Sequence, residues 1–65
     1  MRFLVNGVWR ESGAAGLDRL LTELGYQDAV VSTAVNGEFV PTGARVGTRL
    51  AEGDRVEVLA PMQGG

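Results

Sequence analysis

The residues of this chain that are best suited to chemistry lie at its C-terminal end, where the sequence reads Pro61-Met62-Gln63-Gly64-Gly65. An α-carboxyl group has a pKa of about 3.3 to 3.7, so it is ionised at neutral pH and is a poor electrophile until it is activated. An acyl adenylate formed with ATP would supply that activation, provided that the chain end reaches another protein's active site. We therefore predict that the terminal carboxylate of Gly65 is the reactive group.

The segment around the two glycines is suited to insertion into a cleft. Glycine lacks a Cβ atom, so the backbone of Gly64 and Gly65 can approach another surface closely. Pro61 stiffens the chain where it leaves the last predicted strand, and residues 60–65 span roughly 20 Å when extended. We predict a folded domain over residues 1–60 and a flexible tail over residues 61–65. The alternative is a glycine pair without function in a chain that holds ten glycines.

Composition argues against a catalytic site within the chain itself. There is no His, no Cys and no Lys, so the Ser-His-Asp, Cys-His, Ser-Lys and Schiff-base arrangements cannot be assembled. The usual ligand sets for zinc are missing for the same reason, and no GxxxxGK[ST] phosphate loop occurs. We predict a protein that is not an enzyme and that binds no cofactor or metal of its own.

Charge and hydropathy limit the classes of partner. The net charge of −2 and the isoelectric point near 4.8 oppose the basic surface that nucleic-acid binders need, so we expect no nucleic-acid partner. No apolar stretch is long enough to cross a membrane, and the opening MRFLVNG lacks the apolar core of a signal peptide. We expect a cytoplasmic protein without a membrane partner.

The first half of the chain predicts a hairpin and one helix. Asn6-Gly7 joins two strand-like segments, 1–5 and 8–11, and is a strong hairpin signal. A two-residue loop would place Arg10 opposite Phe3 on the face that should be buried, so we expect a longer loop or a bulge that shifts the register, and the register of the second strand stays open. A helix follows, because leucines recur at helical spacing in the order Leu17, Leu20, Leu21, Leu24. Gly25 suits its C-terminal cap.

The second half of the chain predicts three further strands. Residues 30–35 are β-branched enough for a central strand, Asn36-Gly37 supplies a second turn, and 38–40 form a short strand before Pro41. The segment 42–52 is irregular, with Val46 and Leu50 as its expected core anchors. Residues 55–59 alternate, with Val56 and Val58 facing inwards and Leu59 facing outwards.

The order strand, strand, helix, strand, strand, strand fits an α+β fold in which one helix crosses a mixed sheet of four to five strands. This is the β-grasp, or ubiquitin-like, arrangement. In that arrangement the first and last strands are parallel neighbours at the centre of the sheet, which suits the apolar character of both segments.

The sequence also resembles the ThiS family, the sulfur-carrier proteins of thiamin thiazole biosynthesis. The resemblance covers nearly the whole chain, in the opening MRFLVNG, the run STAVNGEFVP and the turn EGD before RVEVLAPMQGG, and it is strongest from Ala34 to Val40 and from Leu50 to Gly65. The family's asparagine turn, Val-Pro pair, Gly-Asp turn and terminal glycines match Asn36, Val40-Pro41, Gly53-Asp54 and Gly64-Gly65. One departure is Gly16, which stands where a Thr or similar helix cap is common.

The resemblance implies a mechanism and a set of partners. An E1-like adenylyltransferase would use ATP and magnesium to adenylate Gly65, and sulfur from a cysteine desulfurase or another donor would convert the adenylate to a thiocarboxylate. Thiazole synthase would then take the sulfur. Gly64 would be the threading residue, Pro61, Met62 and Gln63 would contact the partners' active sites, and Leu59 is a candidate for the surface that docks on a partner.

Three alternatives remain open at this point. The small subunit of molybdopterin synthase, in the MoaD family, shares the fold and the terminus, although its chains are typically longer. A carrier for tRNA thiolation also ends in Gly-Gly. A β-grasp interaction module without a covalent role would tolerate the loss of Gly65, whereas any carrier would not.

Overall fold

The structure, a computed structural model, describes residues 1–60. Its elements are β1 (Arg2–Val5), β2 (Val8–Glu11), α1 (Leu17–Glu23), β3 (Ser32–Val35), β4 (Glu38–Val40), a 3₁₀ helix (Thr42–Gly47) and β5 (Arg55–Leu59). Neither helix of this part of the chain has the length and hydropathy needed to cross a membrane.

The five strands form one mixed sheet in the order β2-β1-β5-β3-β4. β1 and β5 are parallel neighbours, whereas β2 pairs with β1, and β3 with both β4 and β5, in the antiparallel sense. The predicted β-grasp topology is therefore confirmed, with β5 at the centre of the sheet. The strand that leads to the tail is hydrogen-bonded on both sides, which fixes its position in the fold.

One face of the sheet, here called the inner face, packs with α1 around a single core. The leucines that predicted the helix supply three buried side chains, Leu17, Leu20 and Leu21, while Leu24 is partly buried against the same cluster. The strands contribute alternate residues to this core, namely Phe3, Val5, Val40, Val56 and Val58. The two periodicities of the sequence, 3.6 for the helix and 2 for the strands, meet at this interface.

Both Asn-Gly pairs form the predicted two-residue turns. Asn6 and Gly7 have φ values of 49° and 81°, and Asn36 and Gly37 have 51° and 85°. A type I′ hairpin turn needs positive φ at both central positions, and Asn and Gly tolerate that conformation better than other residues.

The predicted shift in the first hairpin is wrong. The two-residue loop pairs Val5 with Val8 and Phe3 with Arg10 without a bulge. No burial conflict arises, because β2 is an edge strand whose four residues are all exposed. Arg10 lies on the same side of the sheet as buried Phe3, but at the edge, where its charge stays in water.

One strand boundary and one core assignment in the second half differ from the prediction. β3 begins at Ser32, and Val30 is 80% exposed, so only Val31 of the two preceding valines reaches the core. In the segment 42–52, Leu50 is buried as predicted but Val46 is 77% exposed, so its assignment as a core anchor is wrong. Val46 belongs to the 3₁₀ helix, none of whose residues is buried.

The weakly capped start of α1 is held by a neighbouring segment. Gly16 is the N-cap and offers no side-chain hydrogen bond. Instead, the Leu17 amide donates to the Thr48 carbonyl at 2.9 Å, and the Leu50 amide donates to the Ala15 carbonyl at 2.9 Å. Tertiary contact thus satisfies one of the first amides of the helix, which have no partner within the helix itself.

Candidate functional site

The tail predicted to carry the chemistry, Pro61, Met62, Gln63, Gly64 and Gly65, lies outside the described residues. Its five site assignments remain predictions. The structure does describe the place from which the tail departs, the end of β5 at Leu59 followed by Ala60.

β5 brings the chain to this point through the middle of the sheet. Its pairing with β3 continues to the last residue of the strand, where Leu59 lies opposite Ser32. Its pairing with β1 stops earlier, at Val56 opposite Val5. Because β1 ends earlier along β5 than β3 does, within residues 1–60 the main chain of the last residues of β5 is paired with β3 alone, and on the other side only the side chain of Asn6 contacts Val58.

The other face of the sheet, the outer face, carries an apolar surface beside the exit of the chain. Leu59, the one predicted docking residue within the described part, is 66% exposed, and Phe39 on β4 is 68% exposed. Cross-strand pairing places Ala34 next to Phe39. The three line one shallow depression of about 110 Å³, together with polar neighbours on β3 and β5. We call Leu59, Ala34 and Phe39 the exit patch.

Charged side chains lie beside the exit patch on the same face. Arg55 and Glu57 alternate with the buried valines of β5 and so point to the outer side. Towards β2, the guanidinium of Arg2 lies 4.7 Å from the centroid of the Trp9 ring, a cation–π arrangement. The exit patch is thus separated by charged side chains from the second apolar area around Trp9.

The body of the domain offers no cluster for metal binding. Within residues 1–60, no group of three or more Asp, Glu, His or Cys residues is arranged to hold a metal ion. Every buried side-chain nitrogen and oxygen of the described residues also has a hydrogen-bond partner.

Sequence reasoning found Leu59 but missed the other two members of the exit patch. Phe39 stands in the alternating run Glu38-Phe39-Val40, which indicates that Phe39 and Val40 point to opposite faces. Which of the two would be covered by the helix depended on the pairing of β4 with β3, which the run itself does not reveal.

A mixed sheet with parallel first and last strands, one crossing helix and a chain that leaves from the central strand defines a ubiquitin-like β-grasp protein. The ThiS family model matches residues 3–65, and the chain belongs to that family. The predicted resemblance is confirmed. As a member, the chain is a small sulfur-carrier protein of the kind used in thiamin biosynthesis.

Two solved structures are similar to this chain over its whole length. The crystal structure of a thiamine biosynthesis protein (ThiS) from Geobacter metallireducens is 35% identical, with 100% of both chains covered and a TM-score of 0.83. The solution structure of a thiamine biosynthesis protein from Geobacter metallireducens is also 35% identical. The match covers 100% of this chain and 88% of the chain in that structure, with a TM-score of 0.79. A comparison with curated proteins found no match.

Proposed function

We propose that this protein carries sulfur to thiazole synthase as a thiocarboxylate on Gly65. One observation carries the proposal: the family match extends through the C-terminal residues, to residue 65. The position of β5 supports it, because a central strand paired with two neighbours leads the chain to its tail.

The chemistry begins with activation of the terminal carboxylate. A carboxylate oxygen of Gly65 attacks the α-phosphorus of ATP, and pyrophosphate leaves. An E1-like adenylyltransferase would hold the ATP and magnesium, so this chain supplies only the nucleophile. Sulfide then attacks the acyl carbon, displaces AMP and gives the thiocarboxylate directly. Where a cysteine desulfurase or another donor delivers a persulfide instead, its outer sulfur displaces AMP to form an acyl disulfide, and a second thiol cleaves the S–S bond, forming a disulfide with the donor's sulfur and releasing the thiocarboxylate. The product is a thiocarboxylate that gives its sulfur to the thiazole and returns as a carboxylate.

The folded part of the chain, residues 1–60, would be the part that the partners bind during these reactions. The exit patch lies at the start of the tail, so a partner that covers Leu59 and Phe39 would have its active site within reach of Gly65. Residues 60–65 extend over roughly 20 Å, which suits docking outside a deep cleft. In this proposal the tail enters the partner's active-site channel, and the tail residues that contact the walls of that channel are Pro61, Met62, Gln63 and Gly64.

The test is the intact mass of the protein after incubation with ATP, a sulfide source and an extract of the cells in which the protein naturally occurs, here called host extract. We expect a mass gain equal to the exchange of one oxygen for sulfur, located in the C-terminal peptide. The gain should disappear when ATP is omitted and in a variant that lacks Gly65. A ThiS-family carrier from another species, added to the same extract, serves as the positive control.

The outcomes separate the alternatives. An unmodified wild-type protein beside a modified control carrier would contradict the proposal and favour the interaction module. If the thiocarboxylate forms, adding purified thiazole synthase with its small-molecule substrates should consume it. A thiocarboxylate that persists there but is consumed by a molybdopterin synthase large subunit or in tRNA thiolation would reassign the acceptor.

A further inference from the structure

The hydrogen bonds between β1 and β5 continue beyond the end of β1. Leu4 donates its amide to the Asp54 carbonyl at 2.9 Å, and Asn6 donates its amide to the Val56 carbonyl at 2.9 Å. At Asn6 the main chain turns away into the hairpin, with φ of 49°. Val58 is the next residue of β5 that faces this side, because alternate residues of a strand bond to opposite neighbours.

The side chain of Asn6 takes the place of the missing strand residue. The Val58 amide donates to Asn6 Oδ1 at 2.8 Å, and Asn6 Nδ2 donates to the Val58 carbonyl at 3.0 Å. A side-chain amide carries the same donor and acceptor as a peptide group, so these two bonds are those that a longer β1 would make. Both are partly buried, where an unpaired backbone group is costly.

The second Asn-Gly turn provides an internal comparison. Asn36 has nearly the same φ and also binds β5, but at the start of the strand: its Oδ1 accepts from the Arg55 amide at 3.0 Å, and its Nδ2 donates to Asp54 Oδ1 at 3.0 Å. These bonds are exposed and lie at the end of β5 remote from the tail. The two turns therefore share their sequence and conformation but hold opposite ends of the same strand.

We propose that Asn6 is a positioning residue that fixes the direction in which the chain leaves the sheet towards Gly65. The inference rests on the proposed function. Val58 lies two residues before Ala60, and without Asn6 the last residues of β5 would be held from the β3 side alone. A fixed exit lowers the conformational entropy that is lost when the tail enters a partner, so it improves the binding of the carrier more than the chemical step.

The test compares Asn6→Gly with Asn36→Gly. Glycine adopts positive φ readily, so both variants keep their turns and lose only the side-chain amide. In the free proteins, hydrogen exchange at the Val58 amide should accelerate about tenfold in Asn6→Gly, since one hydrogen bond is lost. It should stay unchanged in Asn36→Gly.

The functional readout is competition in host extract with ATP and sulfide. Each variant is mixed with wild-type protein, and the initial rates of thiocarboxylate formation are compared by mass. We expect kcat/KM to fall about fivefold for Asn6→Gly, consistent with the loss of one or two modest hydrogen bonds, and to stay within about twofold for Asn36→Gly. With each protein alone at saturating concentration the rates should converge, because the loss is in KM; circular dichroism checks that both variants are folded.

Equal KM values for the two variants would overturn the inference while leaving the proposed function intact. A fall in kcat with unchanged KM would overturn it as well. If the wild-type protein itself gains no sulfur in an extract that modifies the control carrier, the proposed function fails, and the role of Asn6 in it fails too. Val58 exchange would then report only a structural contact.

Discussion

The inner and outer faces of the sheet are built from the same strands, yet they use apolar residues differently. On the inner face Phe3 and Val56 are fully buried under the helix. On the outer face Phe39 and Leu59 are mostly exposed and share a depression beside the chain exit. The first pair is shielded from water within the folded chain, whereas the second pair is in contact with water.

The difference indicates which apolar residues the fold itself needs. Burial of a large apolar side chain contributes about 1.5–3 kcal/mol, a large share of the stability of so small a domain. A single exposed apolar residue needs no explanation. In the proposed function, the three neighbours around one depression next to the departing chain are candidates for contact with a partner. Substitutions on the two faces should therefore separate stability from activation.

The largest expected effect on stability comes from Phe3→Ala. It removes a fully buried ring, which typically costs about 3–5 kcal/mol, close to the whole stability of a domain of this size. Far-UV circular dichroism should find the variant largely unfolded at 25 °C. Phe39→Ala is the matched control and should unfold in urea within about 1 kcal/mol of wild type. Equal losses for both would contradict the distinction between the faces.

A smaller loss is expected for Thr33→Val on the inner face. Thr33 is buried. Its hydroxyl donates to the Val40 carbonyl at 2.8 Å and accepts from Arg45 Nε at 3.0 Å. The isosteric change leaves both partners without this bond, so urea denaturation should give a loss of about 1–3 kcal/mol. Thr48→Val removes an exposed hydroxyl bond to Ala44 and serves as the control. An unchanged stability in Thr33→Val would mean that other partners replace the hydroxyl.

The outer face near β2 should show a weaker effect. Arg2→Ala removes the cation from the Trp9 ring, and an exposed cation–π contact contributes about 0.5–1 kcal/mol. Because Trp9 is the only tryptophan, its fluorescence reports both the local change and the unfolding transition. Arg10→Ala changes an exposed arginine on the other side of the sheet. A similar shift in Trp9 emission from both variants would speak against the specific contact.

The smallest effect on stability, with a distinct effect on activation, is expected for Leu59→Ala. Loss of an exposed side chain should change the free energy of unfolding by no more than about 0.5 kcal/mol, while thiocarboxylate formation in host extract should slow by about fivefold or more if the residue anchors a partner. Val46→Ala, also exposed but on the 3₁₀ helix, is the control. Normal activation of Leu59→Ala would remove the exit patch from the docking surface.

Local patterns were sufficient for most of the fold. The leucine spacing predicted α1, the two Asn-Gly pairs predicted both turns, and the alternation of residues 55–59 predicted β5 and the exposure of Leu59. The errors at Val30, Val46 and the first hairpin share a cause. Each required knowing whether a neighbouring element covers that residue, and coverage is a property of the assembled sheet.

The candidate site, too, has one part that the sequence could assign and one part that only the structure revealed. The tail residues 61–65 were assigned from their types and order, and they stay predictions. The exit patch brings together residues from β3, β4 and β5 that are up to 25 positions apart between Ala34 and Leu59, so no local pattern could have grouped them.

By itself, the sequence determined α1, the five strands to within two residues, both Asn-Gly turns and the absence of His, Cys and Lys, because these depend on residue type and on spacing over a few positions. Only the tertiary structure decided which apolar residues remain exposed and that Asn6 reaches Val58, 52 positions along the chain. Such contacts depend on strand order and register, which arise when distant segments pair and bury one common core.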